Sequence, residues 1–339
     1  MTSSAVVVGP RLLHPPPASS QKMYEEFKHL RSVSYHRWSA LIERFHCSPS
    51  IGEIGPMAVT PLRMLSLKKT NPARYNKALD LSDNLESLKE KENWDYYVTN
   101  IIEPIMKLNI ENVSIEDVER VVGIILTNSF ETSSTEGTVG VFPEPAMMNH
   151  SCVANTRLVL EAGGSSLKVV AALRIKKGCQ VSNNYARAID TTWTRRVNLL
   201  ENKCFLCQCE RCQDPSELGS HVSSLRCGEC EGDLLPRDTL TMRTDWQCSG
   251  CAAVRTCHQV TDVMRAVRAE AENLNRTDVN SLKSLLKKLS KKVHRNHSIM
   301  LELKQLLVSG TLQSLGTFLS ISSISRSRES SGLHHGGAD

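Results

Sequence analysis

Apolar residues recur at helical spacing through much of the stretch from about residue 21 to 130, in "MYEEFKHLRSVSYHRWSALIERF" and again in "WDYYVTNIIEPIMKL". The clearest predicted helix opens at Ser114. Ser114 and Asp117 make a capping-box-like start, and Ile115, Val118, Val121, Val122 and Ile125 then fall on one face. After residue 137 the period shortens toward two. "TRLVLE" and "LKVVAAL" read as strands around "AGGSS", where Gly163 and Gly164 can take the positive φ of a hairpin loop. A turn at Gly178 leads to a short strand in "CQVSNNY", and "TTWTRRVNLLEN" returns to helix. From about 258 to 308 three helices are expected. Leu282, Leu285, Leu286 and Leu289 form an apolar stripe opposite Lys283, Lys287, Lys288 and Lys291, a core face with a solvated back. His294 and His297 lie near a helix boundary, and without Cys or acidic partners at ligand spacing they read as boundary residues, not as a metal pair.

With 339 residues and 40% hydrophobic content the chain can bury a core and form two or three domains. It contains no apolar run of about 18 residues. The patch in "MTSSAVVVGPRLLHPPP" is broken by proline and too short for a signal peptide, so the expectation is an intracellular protein of cytoplasm and/or nucleus, without a membrane partner. Thiols stay reduced there, which turns the 12 cysteines from disulfide partners into candidate metal ligands. A net charge of +5 demands no nucleic acid, and the one basic run, "LKKLSKKVHR", has helical spacing.

The cysteines are the most specific chemistry. Cys227 and Cys230 in "CGEC" and Cys248 and Cys251 in "CSGC", with 17 residues between the pairs, match the two-knuckle spacing of a structural zinc ribbon. Four filled positions leave no opening for water, so that ion is expected to be structural. Upstream, "CFLCQCERC" holds Cys204, Cys207, Cys209 and Cys212. Cys207, Cys209 and Cys212 form CxCxxC, and a fourth ligand must be Cys204 or come from afar. Cys47, Cys152, Cys179 and Cys257 are the distant candidates, and spacing alone leaves the choice open.

Three segments in order, "GVFPEPAMMNHSCVAN", "RIKKGCQVSNNY" and "TRRVNLLENKCFLCQCERCQDP", resemble the second half of the SET domain and the post-SET segment of the SET-and-MYND lysine methyltransferases. The cysteines that follow look most like the arthropod SmydA-type branch. The resemblance implies an α+β fold: a partial SET β core with a helical insertion, a cysteine-rich post-SET zinc segment, a zinc-ribbon-like module and C-terminal helices. It implies two structural zinc ions, with Cys152 joining Cys207, Cys209 and Cys212 and Cys204 as the decoy, beside the ribbon site of Cys227, Cys230, Cys248 and Cys251. It further implies S-adenosylmethionine as cofactor, with Asn149 and His150 holding it, Asn128 adding a polar contact, Phe205 lining the lysine channel beside it and Tyr185 as the catalytic hydroxyl. The partner would be a protein with an accessible lysine, histone or non-histone.

The chain departs from the family's pattern in several places. No two glycines are separated by one residue, so the Gly-x-Gly start of the SET domain is not found, and residues 1–148 hold a single cysteine, Cys47, where relatives have a Cys- and His-rich MYND finger. Ala154 replaces a proline and Arg187 an acidic residue. The expectation is an N-terminally truncated chain with impaired methyl transfer, whether an isoform or an incomplete gene model. Its expected divisions are a loose N-terminus with the end of a SET strand (1–20), a helical insertion region (21–130), the C-terminal half of the SET domain (131–203), the post-SET and ribbon region (204–257), a partial helical domain (258–308) and a disordered tail (309–339). Two alternatives remain: a non-catalytic zinc-stabilised interaction module, and a nucleic-acid-binding zinc protein. The last is the weakest, because the ribbon loop carries Glu231, Asp233, Asp238 and Asp245 and lacks a basic, aromatic-studded face.

Overall fold

The computed structural model describes residues 2–11, 56–132, 138–161, 164–274 and 278–309. The helical pattern read at 23–45, Cys47, Gly163 and the tail from residue 310 lie outside the described residues. The chain divides into two compact units. One comprises Met1–Tyr185 with Asn198–Leu206, the other Ala186–Val197 with Cys207–Asp339.

In the first unit the N-terminus is not loose where described: β1 (Thr2–Ser4) and β2 (Val7–Pro10) are both paired strands. Helices α1 (Val59–Thr70) and α2 (Pro72–Leu79) follow, and Asn71 caps α2 by accepting the Arg74 N–H at 3.2 Å. A helical run through Trp94–Tyr97, Val98–Ile102 and Glu103–Met106, its middle turn of π type, buries Trp94, Tyr97, Ile101, Ile102 and Ile105. Helix α3 (Ile115–Asn128) then lays its apolar face on this core. The expected capping box is present: Ser114 Oγ accepts the Asp117 N–H at 3.3 Å, and an Asp117 oxygen accepts the Ser114 N–H at 3.0 Å. Val118, Val121, Val122 and Ile125 are buried as expected, but Ile115 is 46% exposed because it sits at the very start of the helix, before the face meets the core. Gly123 permits the close packing. A Cβ there would stand 2.6 Å from the Asp83 carbonyl oxygen.

Strands β3 (Ser129–Glu131) and β4 (Thr138–Val141) complete an antiparallel sheet of order β2-β4-β3. After β5 (Asn149–His150), the predicted hairpin forms as β6 (Thr156–Leu160) and β7 (Ser166–Ala171), in register from Thr156 opposite Ala171 to Leu160 opposite Leu167. Gly164 takes φ +69° at its turn. Strand β1 adds to β7, so the edge of the hairpin is covered by the chain's own N-terminus. The strand expected in "CQVSNNY" is only β8 (Ser182–Asn183), and it pairs in parallel with β5.

Helix α4 (Thr192–Lys203) matches its prediction, but compactness does not divide at residue 203: the first half of α4 counts with the second unit and its last turns with the first. The second unit holds a four-stranded antiparallel sheet of β9 (Leu225–Arg226), β10 (Asp233–Pro236), β11 (Trp246–Cys248) and β12 (Val254–Arg255), in the order β12-β11-β10-β9. Helices α5 (Cys257–Glu272) and α6 (Val279–Leu289) and a helix over 298–309 follow. Leu282, Leu285 and Leu289 are buried against β9 to β11 and the helices, with Leu286 half-buried at their side. His297 is a boundary residue as expected. Its Nδ1 accepts the Ile299 N–H at 3.3 Å, and its carbonyl accepts from Leu301 at 3.0 Å.

Candidate active site and cysteine clusters

The first unit gathers the predicted aromatic residues through two strands of two residues each. Asn149 stands opposite Ser182 and His150 opposite Asn183. Asn155, a residue the sequence reading did not single out, fastens the pair: its Oδ1 accepts the Ser182 N–H at 2.9 Å and its Nδ2 donates to the Gln180 carbonyl at 2.8 Å. Thr156 adds a bond to the Ser182 carbonyl at 2.8 Å.

This clamp sets His150 against Tyr185. Their rings lie 5.3 Å apart, and Phe205 lies 5.9 Å from His150 on a tilted face. His150 Nδ1 accepts the Tyr185 backbone N–H at 3.0 Å, which puts the ring proton on Nε2. That nitrogen is 3.3 Å from the sulfur of Cys152, which is buried. The Tyr185 hydroxyl donates to the Met148 carbonyl, and burial pushes its pKa up. Asn149 is exposed on β5. Asn128, at the end of α3, commits its amide nitrogen to the carbonyls of Ser82 at 2.7 Å and Ile124 at 2.9 Å.

Sequence reading also missed Lys203. Its ammonium donates to the Thr127 carbonyl and lies 5.8 Å from the Tyr185 ring centre. Burial, helped by Arg11, lowers its pKa to about 8. Cys204 turns away into the same unit: it has φ +61°, packs on the helical core and holds its sulfur 3.3 Å from Lys91 Nζ. An open cleft of about 870 Å³ lies beside it, lined in part by Glu90, Lys91 and Glu201.

The second unit contains the ribbon cysteines together with Cys207, Cys209 and Cys212. In the ribbon, the four sulfurs of Cys227, Cys230, Cys248 and Cys251 lie within 4.8 Å of one another. The knuckles turn N–H groups onto them, Glu229 toward Cys227 at 3.5 Å and Gly250 toward Cys248 at 3.3 Å. These N–H groups suit thiolates, and the Gly250 contact leads the effects that pull Cys248 down to about 7. A Cβ on Gly232 would stand 3.0 Å from the Cys248 sulfur and 3.2 Å from that of Cys230, so a side chain there would crowd the cluster. The donor set, spacing and N–H contacts fit a four-thiolate zinc ion.

Cys207, Cys209 and Cys212 likewise bring their sulfurs within 4.8 Å of each other around the short helix Glu210–Gln213. The Cys209 N–H faces the Cys207 sulfur at 3.5 Å. His221, Asp233 and His294 also converge, with the two rings 4.7 Å apart. They make a poor metal site. His294 Nδ1 accepts the Asn296 N–H at 3.1 Å, which leaves its other nitrogen protonated, and Asp233 is paired to Arg226 at 3.2 Å.

No family model matches the chain. Among curated proteins it is 36% identical over 152 residues to the SET domain-containing protein SmydA-8, isoform A, of Drosophila melanogaster, covering 42% of this chain and 32% of that protein. Over that stretch the chain is similar to SET-domain proteins of the SET-and-MYND type. The histone-lysine N-methyltransferase SMYD3 of Mus musculus is 26% identical over 160 residues, 45% of this chain and 37% of that protein. The histone-lysine N-methyltransferase ASHR1 of Arabidopsis thaliana is 30% identical over 142 residues, 40% of this chain and 28% of that protein. The chain thus spans about a third of the length of the SET-and-MYND relatives it matches. Its mixed α and β architecture and its cysteine clusters, which could hold zinc, agree with that similarity. No described helix is long and apolar enough to cross a membrane.

Proposed function

We propose that the chain carries one side of an S-adenosylmethionine-dependent protein-lysine methyl-transfer site, and that these 339 residues by themselves transfer methyl groups weakly or not at all. The observation that carries the reading is the grouping of Tyr185, just after β8, and Phe205, just after α4, around His150 of β5. The exposed amide of Asn149, next along β5, offers a donor and an acceptor to the polar parts of the cofactor. When bound, the cofactor supplies an electrophilic methyl group. The chain's part is positioning: the faces of Tyr185 and Phe205 suit a lysine side chain with a cationic end, and a substrate amine must arrive deprotonated and in line. The substrate class is a protein with an accessible lysine, histone or non-histone, met in cytoplasm or nucleus.

Three features support impairment. The Tyr185 hydroxyl is given to the Met148 carbonyl, the chain's own Lys203 ammonium faces the Tyr185 ring, and the close-approaching Gly-x-Gly backbone of the family is not found in the sequence. The Lys203 contact also favours the second reading, a non-catalytic interaction module whose lysine seat is filled from within.

Two structural zinc ions belong to the proposal. One takes Cys227, Cys230, Cys248 and Cys251. The other takes Cys207, Cys209 and Cys212 with Cys152 as fourth ligand; the Nε2–H of His150 directed at the Cys152 sulfur suits a thiolate, and Cys204 is engaged by Lys91. Calorimetric titration of the zinc-loaded chain with S-adenosylmethionine tests the cofactor site. Weak, saturable binding that Asn149→Ala reduces is expected. Absence of any binding, also when a family-like N-terminal SET segment is added, would leave only the interaction-module reading.

A further inference from the structure

Adjacent residues on α4, Arg195 and Arg196, are 0% and 3% exposed, which is costly for two guanidinium ions unless each finds acceptors and opposite charge. Both reach the CxCxxC segment. One terminal nitrogen of Arg195 donates to the Asp190 carbonyl at 2.6 Å and to Glu217 Oε1 at 3.0 Å; the other donates to Thr192 Oγ1 at 3.0 Å and lies 3.7 Å from the Cys212 sulfur. Arg196 donates through Nε to the Cys207 carbonyl at 3.0 Å and through a terminal nitrogen to the Leu240 carbonyl at 2.7 Å. One arginine therefore holds each end of the ligand segment.

Glu217, itself buried, pairs with Arg195 at 3.0 Å, whereas Arg196 bonds directly to backbone carbonyls and has the exposed Asp238 as its nearby opposite charge. A zinc ion held by four thiolates carries a net charge of about −2. We infer that Arg195 and Arg196 are positioning residues for the CxCxxC zinc: Arg195 donates an N–H to the Cys212 thiolate, Arg196 fixes the Cys207 backbone, and the pair offsets the negative charge of the cluster. This rests on the second zinc ion proposed above.

The ribbon zinc in the same unit is an internal control, because no arginine donates to its sulfurs among the described residues. Zinc transfer to a chromogenic chelator should be biphasic in the unmodified chain. In Arg195→Gln and Arg196→Gln one phase should accelerate about ten- to a hundredfold, the usual effect of removing a partner of a metal ligand, while the ribbon phase keeps its rate. Cobalt substitution adds a readout of the sulfur itself. Arg195→Lys should move the sulfur-to-cobalt charge-transfer band to lower energy, since a thiolate that loses an N–H donor gives up its electrons more readily. Arg196→Lys should leave the band in place. If the Gln variants lose both ions through misfolding, the band in the Lys variants decides. Unchanged release rates, or an unchanged band in Arg195→Lys, would overturn the inference; a single zinc in the unmodified chain would instead remove the reading beneath it.

Discussion

His150 stands between Tyr185 and Cys152: Nδ1 accepts the Tyr185 N–H at 3.0 Å and Nε2 faces the Cys152 sulfur at 3.3 Å. The first contact fixes the tautomer and the second uses the proton it leaves. A ring held this way is neutral, and it joins the proposed catalytic tyrosine to a proposed zinc ligand through one side chain.

The first prediction is the metal count. Thiol-protected protein should contain two zinc ions, since eight cysteines make two four-thiolate sites. Cys152→Ser should release one ion, and Cys204→Ser should leave both, because the Cys204 sulfur lies against Lys91. Elemental analysis decides. The reverse pattern would make the nine-residue cluster a local site.

A second prediction concerns Gly123. Gly123→Ala gains helix propensity of about 1 kcal/mol, but its Cβ would stand 2.6 Å from a backbone oxygen at Asp83, which cannot rotate away. Overpacking of this kind costs about 1–3 kcal/mol, so net destabilisation is expected in denaturant titration. A stabilised variant would show that α3 can shift.

The parts legible in the sequence are those with local causes. The capping box at Ser114, the β6–β7 hairpin and the ribbon knuckles each depend on a few neighbouring residues whose chemistry admits one outcome. The β5–β8 pairing was not legible, because two-residue strands have no period and their clamp, Asn155, acts across 27 residues. For the same reason nothing in the sequence singled out Lys203 or Arg195. Their burial is decided by the surfaces that α4 meets, not by α4 itself.

The third prediction is an acid dependence at His297. Burial lowers its pKa to about 4, against the partly opposing pull of Glu217. Between about pH 6.5 and 4 the unfolded chain therefore binds more protons than the folded one, so stability is intact above that window and is lost as pH falls through it. The full effect is on the order of 3 kcal/mol. His297→Asn, which keeps an acceptor near the Ile299 N–H, should flatten the profile relative to the unmodified chain. Substituting both His294 and His297 should leave the zinc count at two; a lower count would restore them as ligands.

The fourth concerns Lys203, where the sign is the same but the window is alkaline. Its pKa is lowered to about 8, so below that pH the folded protein carries a partly buried ammonium at a cost. From about pH 8 to 10.5 the unfolded chain holds the extra proton and stability rises. With solvent screening at this half-buried site the rise is about 1 kcal/mol. Lys203→Met should remove it, as read from thermal unfolding across that range.

The last prediction is catalytic. Productive transfer needs sulfur, methyl and lysine nitrogen held nearly in line, and a misplacement of about 1 Å can cost roughly a hundredfold in rate. In the proposed site Asn149, His150 and Tyr185 would supply one side, while the Tyr185 hydroxyl is held by Met148 and its ring faces Lys203. A half-site can still bind the cofactor weakly, but weak binding does not supply alignment. With labelled S-adenosylmethionine and mixed protein substrates, the 339-residue chain should label little, and a version carrying a family-like N-terminal SET segment should label more, in a manner abolished by Tyr185→Phe. Lys203→Met separates two causes of low activity: a gain in the extended version alone means that the internal ammonium competes for the lysine seat once the donor is aligned. Robust Tyr185-dependent labelling by the 339-residue chain would overturn the prediction and mean that β1, β2 or another of its own segments completes the site.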